Sequence, residues 1–252
     1  MAAQARNQNT RSTTCTRTHE CPLCEDREII IEERDGEIWA KECSCKPQKQ
    51  INRMFNQSGL SNEQRKIKLT DFAPGPKTKS MYEMVKSYIE QFETISAMEA
   101  PNKGMALVGA YGTGKTMLMC AIANHLLSLK IPTMFVVGPD LIADLMSAQF
   151  DGSREFFEKK MKQLTTVDVL ILDDIAKEKI SEWVQVQYFR IIDARYRANL
   201  ITLFTSNFTF DQIDEKLGEA VGSRLFGLTR ERQVVVRADN YRINGKYEKM
   251  YL

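Results

Sequence analysis

Eight residues, Gly109-Ala-Tyr-Gly-Thr-Gly114-Lys115-Thr116, restrict what this chain can become more than any other stretch of it. A short apolar run, Met105 to Val108, leads into them, and an amphipathic run to Lys130 follows. The pattern is strand, glycine-rich turn and helix, with G-x-x-x-x-G-K-[ST] at the junction. Gly109, Gly112 and Gly114 allow backbone angles and close approaches that a Cβ forbids, so successive N–H groups can face phosphate oxygens. The helix N-terminus adds partial positive charge, Lys115 reaches the β/γ-phosphates, and the Thr116 hydroxyl ligates magnesium. The stretch reads as a nucleotide-binding P-loop. Its cofactor-binding residues are Gly109, Gly112, Thr113, Gly114, Lys115, Thr116 and Met117, with ATP and magnesium as the expected ligands.

Such a sheet needs most of residues 101–240, and the chain has 252, so its first hundred residues must do something else. The formal net charge is only +2, so any nucleic-acid contact has to come from local patches. No apolar run approaches the ~20 residues of a membrane span. The first residues carry arginines but no apolar segment, which argues against a secretory signal. A cytoplasmic location is the expectation.

Six cysteines stand at positions 15, 21, 24, 43, 45 and 120. In a reducing compartment, clustered cysteines suggest metal before disulfide. Cys21-Pro-Leu-Cys24 and Cys43-Ser-Cys45 flank IIIEERDGEIWAKE, which reads as a hairpin: Ile29–Ile31, a turn at Asp35-Gly36, then Ile38-Trp39-Ala40. Four thiolates at the ends of a hairpin make a closed, structural zinc site, and so small a hairpin has almost no core of its own. Cys21, Cys24, Cys43 and Cys45 are the expected ligands; Cys15 and His19 are spare donors, and Cys120 is a buried apolar residue of the P-loop helix. Residues 1–20, with Arg6, Arg11 and Arg17, read as a disordered basic tail. The cysteine module with a short basic helix ended by Gly59 takes 21–60. Residues 61–100 read as a linker around Pro74-Gly75-Pro76 and a helix packing on the core. The ATPase domain takes 101–252.

Within that domain, Pro132–Val137 is a second strand, followed by two helical stretches. Val167-Asp-Val-Leu-Ile-Leu172 then runs into Asp173-Asp174, a buried parallel strand with acids at its C-terminal end. Ligands bind at that edge of an open α/β sheet. Asp173 is the candidate magnesium partner and Asp174 the candidate base that orients the attacking water. A long helix over Ser181–Asn199 precedes the strand Leu200–Phe204 and Thr205-Ser206-Asn207. Asn207 just past that strand is placed to sense the γ-phosphate; a plain turn residue is the other possibility. Gly222-Ser-Arg224-Leu lies on a helix, Val234–Val236 is the last strand, and Asp239-Asn-Tyr-Arg242 comes near the end. The fold class is α/β: a P-loop parallel sheet flanked by helices, with a small zinc-ribbon-like module in front.

The strand–P-loop–helix, VDVLILDDI, TSN after a fourth strand, GEAVGSRL and ADNYR together resemble the AAA+ replicative helicase loaders of the DnaC/DnaI type, whose core is shared with IstB-like transposition ATPases. The resemblance covers roughly Thr70 to the C-terminus, and CPLC…CSC resembles the cysteine-bearing front end of loaders in this group. It implies an ATPase acting between subunits of a self-associated ring or spiral, with Arg224 as an arginine finger toward a neighbour and Arg242 in a sensor-like role; on sequence physics alone either could be a surface ion-pair residue. It implies a DnaB-type replicative helicase and single-stranded DNA as partners, the cysteine module with its basic helix meeting the helicase. A helical insertion over roughly Pro139–Leu164, with Phe150, Arg154, Lys159, Lys160 and Lys162, is the implied DNA-binding element, although the same residues suit a solvated face. Asp173-Asp174 departs from the Asp-Glu of many AAA+ proteins, implying slow hydrolysis, and Ala220 stands where some loaders carry a second arginine. Two other functions fit: a transposition helper ATPase on duplex DNA, and a nucleotide-binding adaptor with negligible hydrolysis.

Overall fold

The computed structural model describes residues 19–34, 36–150 and 152–237, and the chain divides into two units, 1–50 and 51–252. The division falls within helix α1 (Lys46–Gln57). The basic tail to Thr18 and the Asp239–Arg242 segment lie outside the described residues.

The first unit is a two-stranded antiparallel ribbon. Strand β1 (Ile29–Arg34) pairs with β2 (Glu37–Glu42) from Ile29↔Glu42 to Arg34↔Glu37. Ile30 packs against Cys21, Cys24 and Cys43. The other large side chains stay outside: Ile31 is 59% exposed, Ile38 78% and Trp39 57%. Every residue of β2 is exposed, so the ribbon has no apolar core beyond the cysteines.

The second unit is built on a five-stranded sheet, all parallel, in the order β4-β5-β6-β3-β7. Its strands are β3 (Met105–Gly109), β4 (Thr133–Val137), β5 (Val169–Asp173), β6 (Ile201–Ser206) and β7 (Gln233–Val236). Because side chains alternate across a strand, Met105, Leu107, Val169, Ile171 and Leu203 enter one apolar layer, while Ala106, Val108, Leu170, Leu172 and Phe204 enter the other. The first layer is closed by α2 (Lys79–Glu90), α3 (Phe92–Ser96) and α4 (Lys115–Ser128). The second is closed by α5 (Gly138–Phe150), α6 (Arg154–Thr166), α7 (Glu182–Arg197), α8 (Phe210–Leu217) and α9 (Glu219–Thr229). Helix α4 is apolar nearly all round because the sheet covers one side and α2 with the segment before it covers the other. No helix among the described residues is long and apolar enough to cross a membrane.

Two features hold the edges of this frame. The fully buried Arg195 donates to the carbonyls of Leu164, Val167 and Ile201 and to the Thr202 hydroxyl, at 2.6–2.9 Å, tying the N-terminal ends of β5 and β6 to the end of α6. At edge strand β4, the Phe135 N–H donates to the Ser58 carbonyl at 2.6 Å. Gly59, at φ +82, is needed there, since a Cβ would stand 2.2 Å from the Phe135 carbonyl oxygen.

The stretch expected as linker and packing helix differs from that expectation in its first half. Leu60, Phe72, Met81, Val85, Tyr88, Phe92 and Ile95 all lie in the first apolar layer. Single 3₁₀ turns at Gln64–Lys66 and Leu69–Asp71 carry the chain against α4, where Asn124 Nδ2 donates to the carbonyls of Gln64 (2.8 Å) and Ile67 (2.7 Å). Leu60 and Phe72 therefore belong to the core, with Ile67 and Leu69 packed against it, despite the Pro/Gly-rich sequence that follows.

Candidate functional site

The sheet order explains where the predicted nucleotide residues meet. Strand β6 lies between β5 and β3, so Asn207 at its end stands between Asp173-Asp174 on one side and the P-loop on the other. The loop itself turns at Gly109, Gly112 and Gly114, at φ +110, +67 and +89. A Cβ on Gly109 would stand 2.3 Å from the Val236 carbonyl oxygen, and one on Gly114 would stand 2.5 Å from the Phe72 ring. Both glycines are thus required by close packing as well as by backbone angle.

Lys115 is buried, and its ammonium donates to the carbonyls of Gly109 (2.9 Å) and Ala110 (2.7 Å) and to Asn207 Oδ1 (2.8 Å). The Asn207 amide donates in turn to Asp174 Oδ1. Asp174 Oδ2 is ion-paired with Lys177 at 2.6 Å. Asp173 lies beneath: Thr116 Oγ1 is 3.0 Å from both of its oxygens, and Thr205 Oγ1 donates to Oδ1 at 2.7 Å. The Thr205 hydroxyl also accepts the Asp174 N–H at 2.8 Å. Burial pushes the Asp173 carboxyl above its ordinary range, opposed by the two threonine hydroxyls and by Lys115. Asp174 and Ala176 adopt φ of +59 and +64, an uncommon conformation for residues with a Cβ.

This donor set suits the expected ligands. A hydroxyl and a carboxylate, both hard oxygens and already within hydrogen-bond distance, match magnesium. The glycines leave a cradle that side chains would fill, and a cleft of about 390 Å³ opens beside it, lined by Gly109, Ala110, Asn207, Thr209, Val235, Val236 and Arg237. Thr113 and Met117 lie in the same turn and first helical turn, both buried, the Thr113 hydroxyl donating to the Ala110 carbonyl at 3.2 Å.

Arg224 is not part of this cluster. Its Nε donates to Asp193 Oδ1 at 2.8 Å, its Nη1 to the Ala220 carbonyl at 2.8 Å, and its guanidinium lies 4.8 Å from the centre of the Phe189 ring. Arg242 lies outside the described residues. On the expected DNA element, Arg154, Lys159 and Lys162 are exposed and Phe150 is 77% exposed, while Lys160 is ion-paired with Asp144 at 3.6 Å.

The four predicted cysteine ligands converge. Their sulfurs all lie within 4.8 Å of one another, with Cys21–Cys43 at 3.7 Å and Cys24–Cys45 at 3.5 Å. A tetrahedron with Zn–S bonds of ~2.3 Å has edges of roughly 3.8 Å, so the spacing fits zinc. The backbone N–H groups of Cys24 and Leu23 hold the Cys21 thiol down to about 7. Asp26 fastens the knuckle: its carboxylate accepts the N–H groups of Cys21 (3.0 Å) and Glu20 (3.1 Å) and the Lys49 ammonium from α1. Lys49 and those two N–H groups hold the Asp26 carboxyl well below its ordinary range. His19, one of the spare donors, faces Asp26 at 3.4 Å and is outside the sulfur cluster. Cys15 lies outside the described residues.

Thr205, Lys177, Phe72, Asp26 and Asp193 were not singled out from sequence. Thr205 had a usable signal, as the first residue of the same Thr-Ser-Asn triplet. The others depend on partners 30 or more residues away or on ordinary-looking loops.

The model of the IstB-like ATP binding protein family matches residues 15–248 of the chain. The uncharacterised protein YqaM of Bacillus subtilis is 30% identical over 219 residues, which cover 83% of this chain and 67% of that protein. The replicative helicase loader DnaC of Escherichia coli is 27% identical over 202 residues, 78% of each chain. Among solved structures, that of DnaI superposes with a TM-score of 0.56 at 27% identity, covering 71% of this chain and 94% of the other.

Proposed function

Since the chain belongs to the IstB-like ATP-binding protein family, we propose that it is an ATP-driven loader that binds a DnaB-type replicative helicase and helps place it on single-stranded DNA. ATP binding and AAA+ ATPase activity come with the family. The observation that carries it is likeness to a replicative helicase loader over 78% of both chains, well beyond the P-loop alone. The module of four convergent cysteines meets the helicase in this reading.

In this reading the β/γ-phosphates take the place of the Gly109 and Ala110 carbonyls as acceptors of the Lys115 ammonium. Thr116 and Asp173 would hold magnesium, which would supply charge neutralisation for the β/γ-phosphates. Thr205 keeps the Asp173 carboxylate aimed at Thr116. Asp174 takes the proton as water adds to the γ-phosphorus and ADP leaves, and Asn207 joins that carboxylate to Lys115, so both respond to the γ-phosphate. Arg224 serves a neighbouring protomer's nucleotide, and Arg242 is assigned a sensor-like role. Phe150, Arg154, Lys159 and Lys162 contact single-stranded DNA. Cys21, Cys24, Cys43 and Cys45 hold one structural zinc.

Co-purification with the host's replicative helicase, dependent on the cysteine module and on ATP, is the expected result. The resemblance to IstB-like transposition ATPases favours one second reading, a transposition helper acting on duplex DNA; capture of a transposase instead of the helicase establishes that reading and removes ours. The division between the acids has its own test. Asp173→Asn weakens magnesium-dependent binding, whereas Asp174→Asn binds ATP and hydrolyses it slowly; identical behaviour of the two variants refutes the division.

A further inference from the structure

Three side chains of α7, at i, i+4 and i+8, form one stripe: Phe189, Asp193 and Arg197. Arg224 of α9 lies across it. Both oxygens of Asp193 are taken, Oδ1 by Arg224 Nε at 2.8 Å and Oδ2 by Arg197 Nη2 at 2.6 Å, and the Arg224 guanidinium rests over the Phe189 ring. The Asp193 side chain is only 13% exposed, whereas that of Arg197 is 73% exposed. Two guanidinium charges on one carboxylate leave one positive charge uncompensated at the surface, a place that favours an arriving anion. Beside the arginines, Val186 and Phe189 add exposed apolar surface on the same helix.

We infer that Asp193 is the positioning residue for Arg224, and that Arg197, held by the same carboxylate, is the second arginine presented with it to the phosphates of a neighbouring copy's nucleotide. The inference rests on the reading of Arg224 as a residue acting in trans. A hydrogen bond to Nε and a ring beneath the plane fix the guanidinium's orientation, which a lone surface arginine lacks. Holding it beforehand avoids an ordering cost when the neighbour docks.

The test uses the full chain with ATP, at concentrations where assembly stimulates turnover. Asp193→Asn is expected to bind ATP with unchanged affinity and to lose at least tenfold in assembly-stimulated turnover, and Asp193→Asn/Arg224→Ala to be no slower than Arg224→Ala alone. Arg197→Ala is expected to lose three- to tenfold. Mixing Asp193→Asn with Lys115→Ala protomers, which bring intact Asp193 and Arg224 but bind ATP at least tenfold more weakly, is expected to restore turnover at ATP concentrations that leave the Lys115→Ala sites largely empty; a residue that merely stabilises its own subunit gives no such rescue. Arg224→Lys keeps the charge without Nε, so it is expected to match Arg224→Ala even if Asp193→Asn fails to fold. Turnover within twofold of wild type for Asp193→Asn or Arg224→Lys, with Arg224→Ala inactive, overturns the inference. Full turnover in Arg224→Ala removes the underlying reading instead.

Discussion

The two units of this chain reach stability by opposite routes. In the ribbon of residues 29–42 the large apolar side chains, Ile31, Ile38 and Trp39, face outward, and what is buried is sulfur: Cys21, Cys24 and Cys43, with Ile30 beside them. In the ATPase core two continuous apolar layers sandwich a five-stranded sheet, and its polar cluster is small and hydrogen-bonded throughout. A unit that buries so little apolar area cannot offset its chain entropy without a cross-link, whereas the core needs none. The difference teaches where each should break.

The largest effect expected is in the ribbon. Structural zinc contributes on the order of 10 kcal/mol to folds of this size. Cys24→Ser, or chelation of the wild type, is therefore expected to unfold residues 21–45 and to abolish helicase binding, leaving ATP affinity near wild type. Metal analysis is expected to give one zinc per chain before treatment. Protein purified without chelator that carries no zinc contradicts the metal site; zinc loss with helicase binding intact keeps the site and removes its role.

The core should break through packing instead. Phe72 lies against Gly114 and stacks with Tyr82 at 6.0 Å between ring centres. Phe72→Ala removes a buried ring and is expected to cost about 3–5 kcal/mol in denaturant unfolding of the core, with no change in bound zinc. A loss below about 1 kcal/mol would mean that residues 60–72 are the spacer their sequence suggests.

That segment marks the limit of what the sequence made legible. The P-loop, the β5 acids and the Asn207 position could be read because each is a local pattern whose place follows from the rules of parallel sheets. The four cysteines could be read because thiol chemistry and spacing suffice. Phe72 could not: LTDFAPGPKTKS has the composition of a loop, and its one ring is buried by helices that begin seven or more residues later. Asp193 could not either, because an acid in a mixed helix means nothing until α9 brings Arg224 to it. From sequence Asp174 reads as the candidate base that orients the attacking water; the structure adds Lys177 and Asn207, which both hold it across the positive-φ turn after β5.

A smaller effect separates ligand binding from stability inside the core. Lys115→Ala removes the cation meant for the β/γ-phosphates and leaves the backbone cradle, so ATP affinity is expected to fall at least tenfold, or about 1.4 kcal/mol. The same substitution leaves Asn207 Oδ1 without its lysine donor, so Asn207→Ala in the Lys115→Ala background is expected to add little, a coupling that a double-mutant cycle by titration calorimetry reads directly. Fully additive losses would mean that the 2.8 Å contact between them carries no part of nucleotide sensing.

The smallest effect returns to the ribbon and asks whether zinc acts alone there. Asp26 ties the knuckle backbone to α1, and its depressed acidity gives the sign of its pH dependence. A carboxyl held below its unfolded value stabilises the folded form fully above that value, near 3.9, and loses the contribution as pH falls through the folded one. Thiolates are protonated well before that, so acid releases zinc first and hides Asp26. The effect has to be sought near neutral pH, where Asp26→Asn is expected to speed zinc transfer to a competing chelator by less than the ~10-fold typical of groups bonded to a metal ligand itself. The reason is position: Asp26 holds the Cys21 N–H and Lys49, not a sulfur. An unchanged transfer rate would leave the four thiolates as the whole support of the unit, and a change beyond a hundredfold would show that the knuckle is organised by Asp26 before metal arrives.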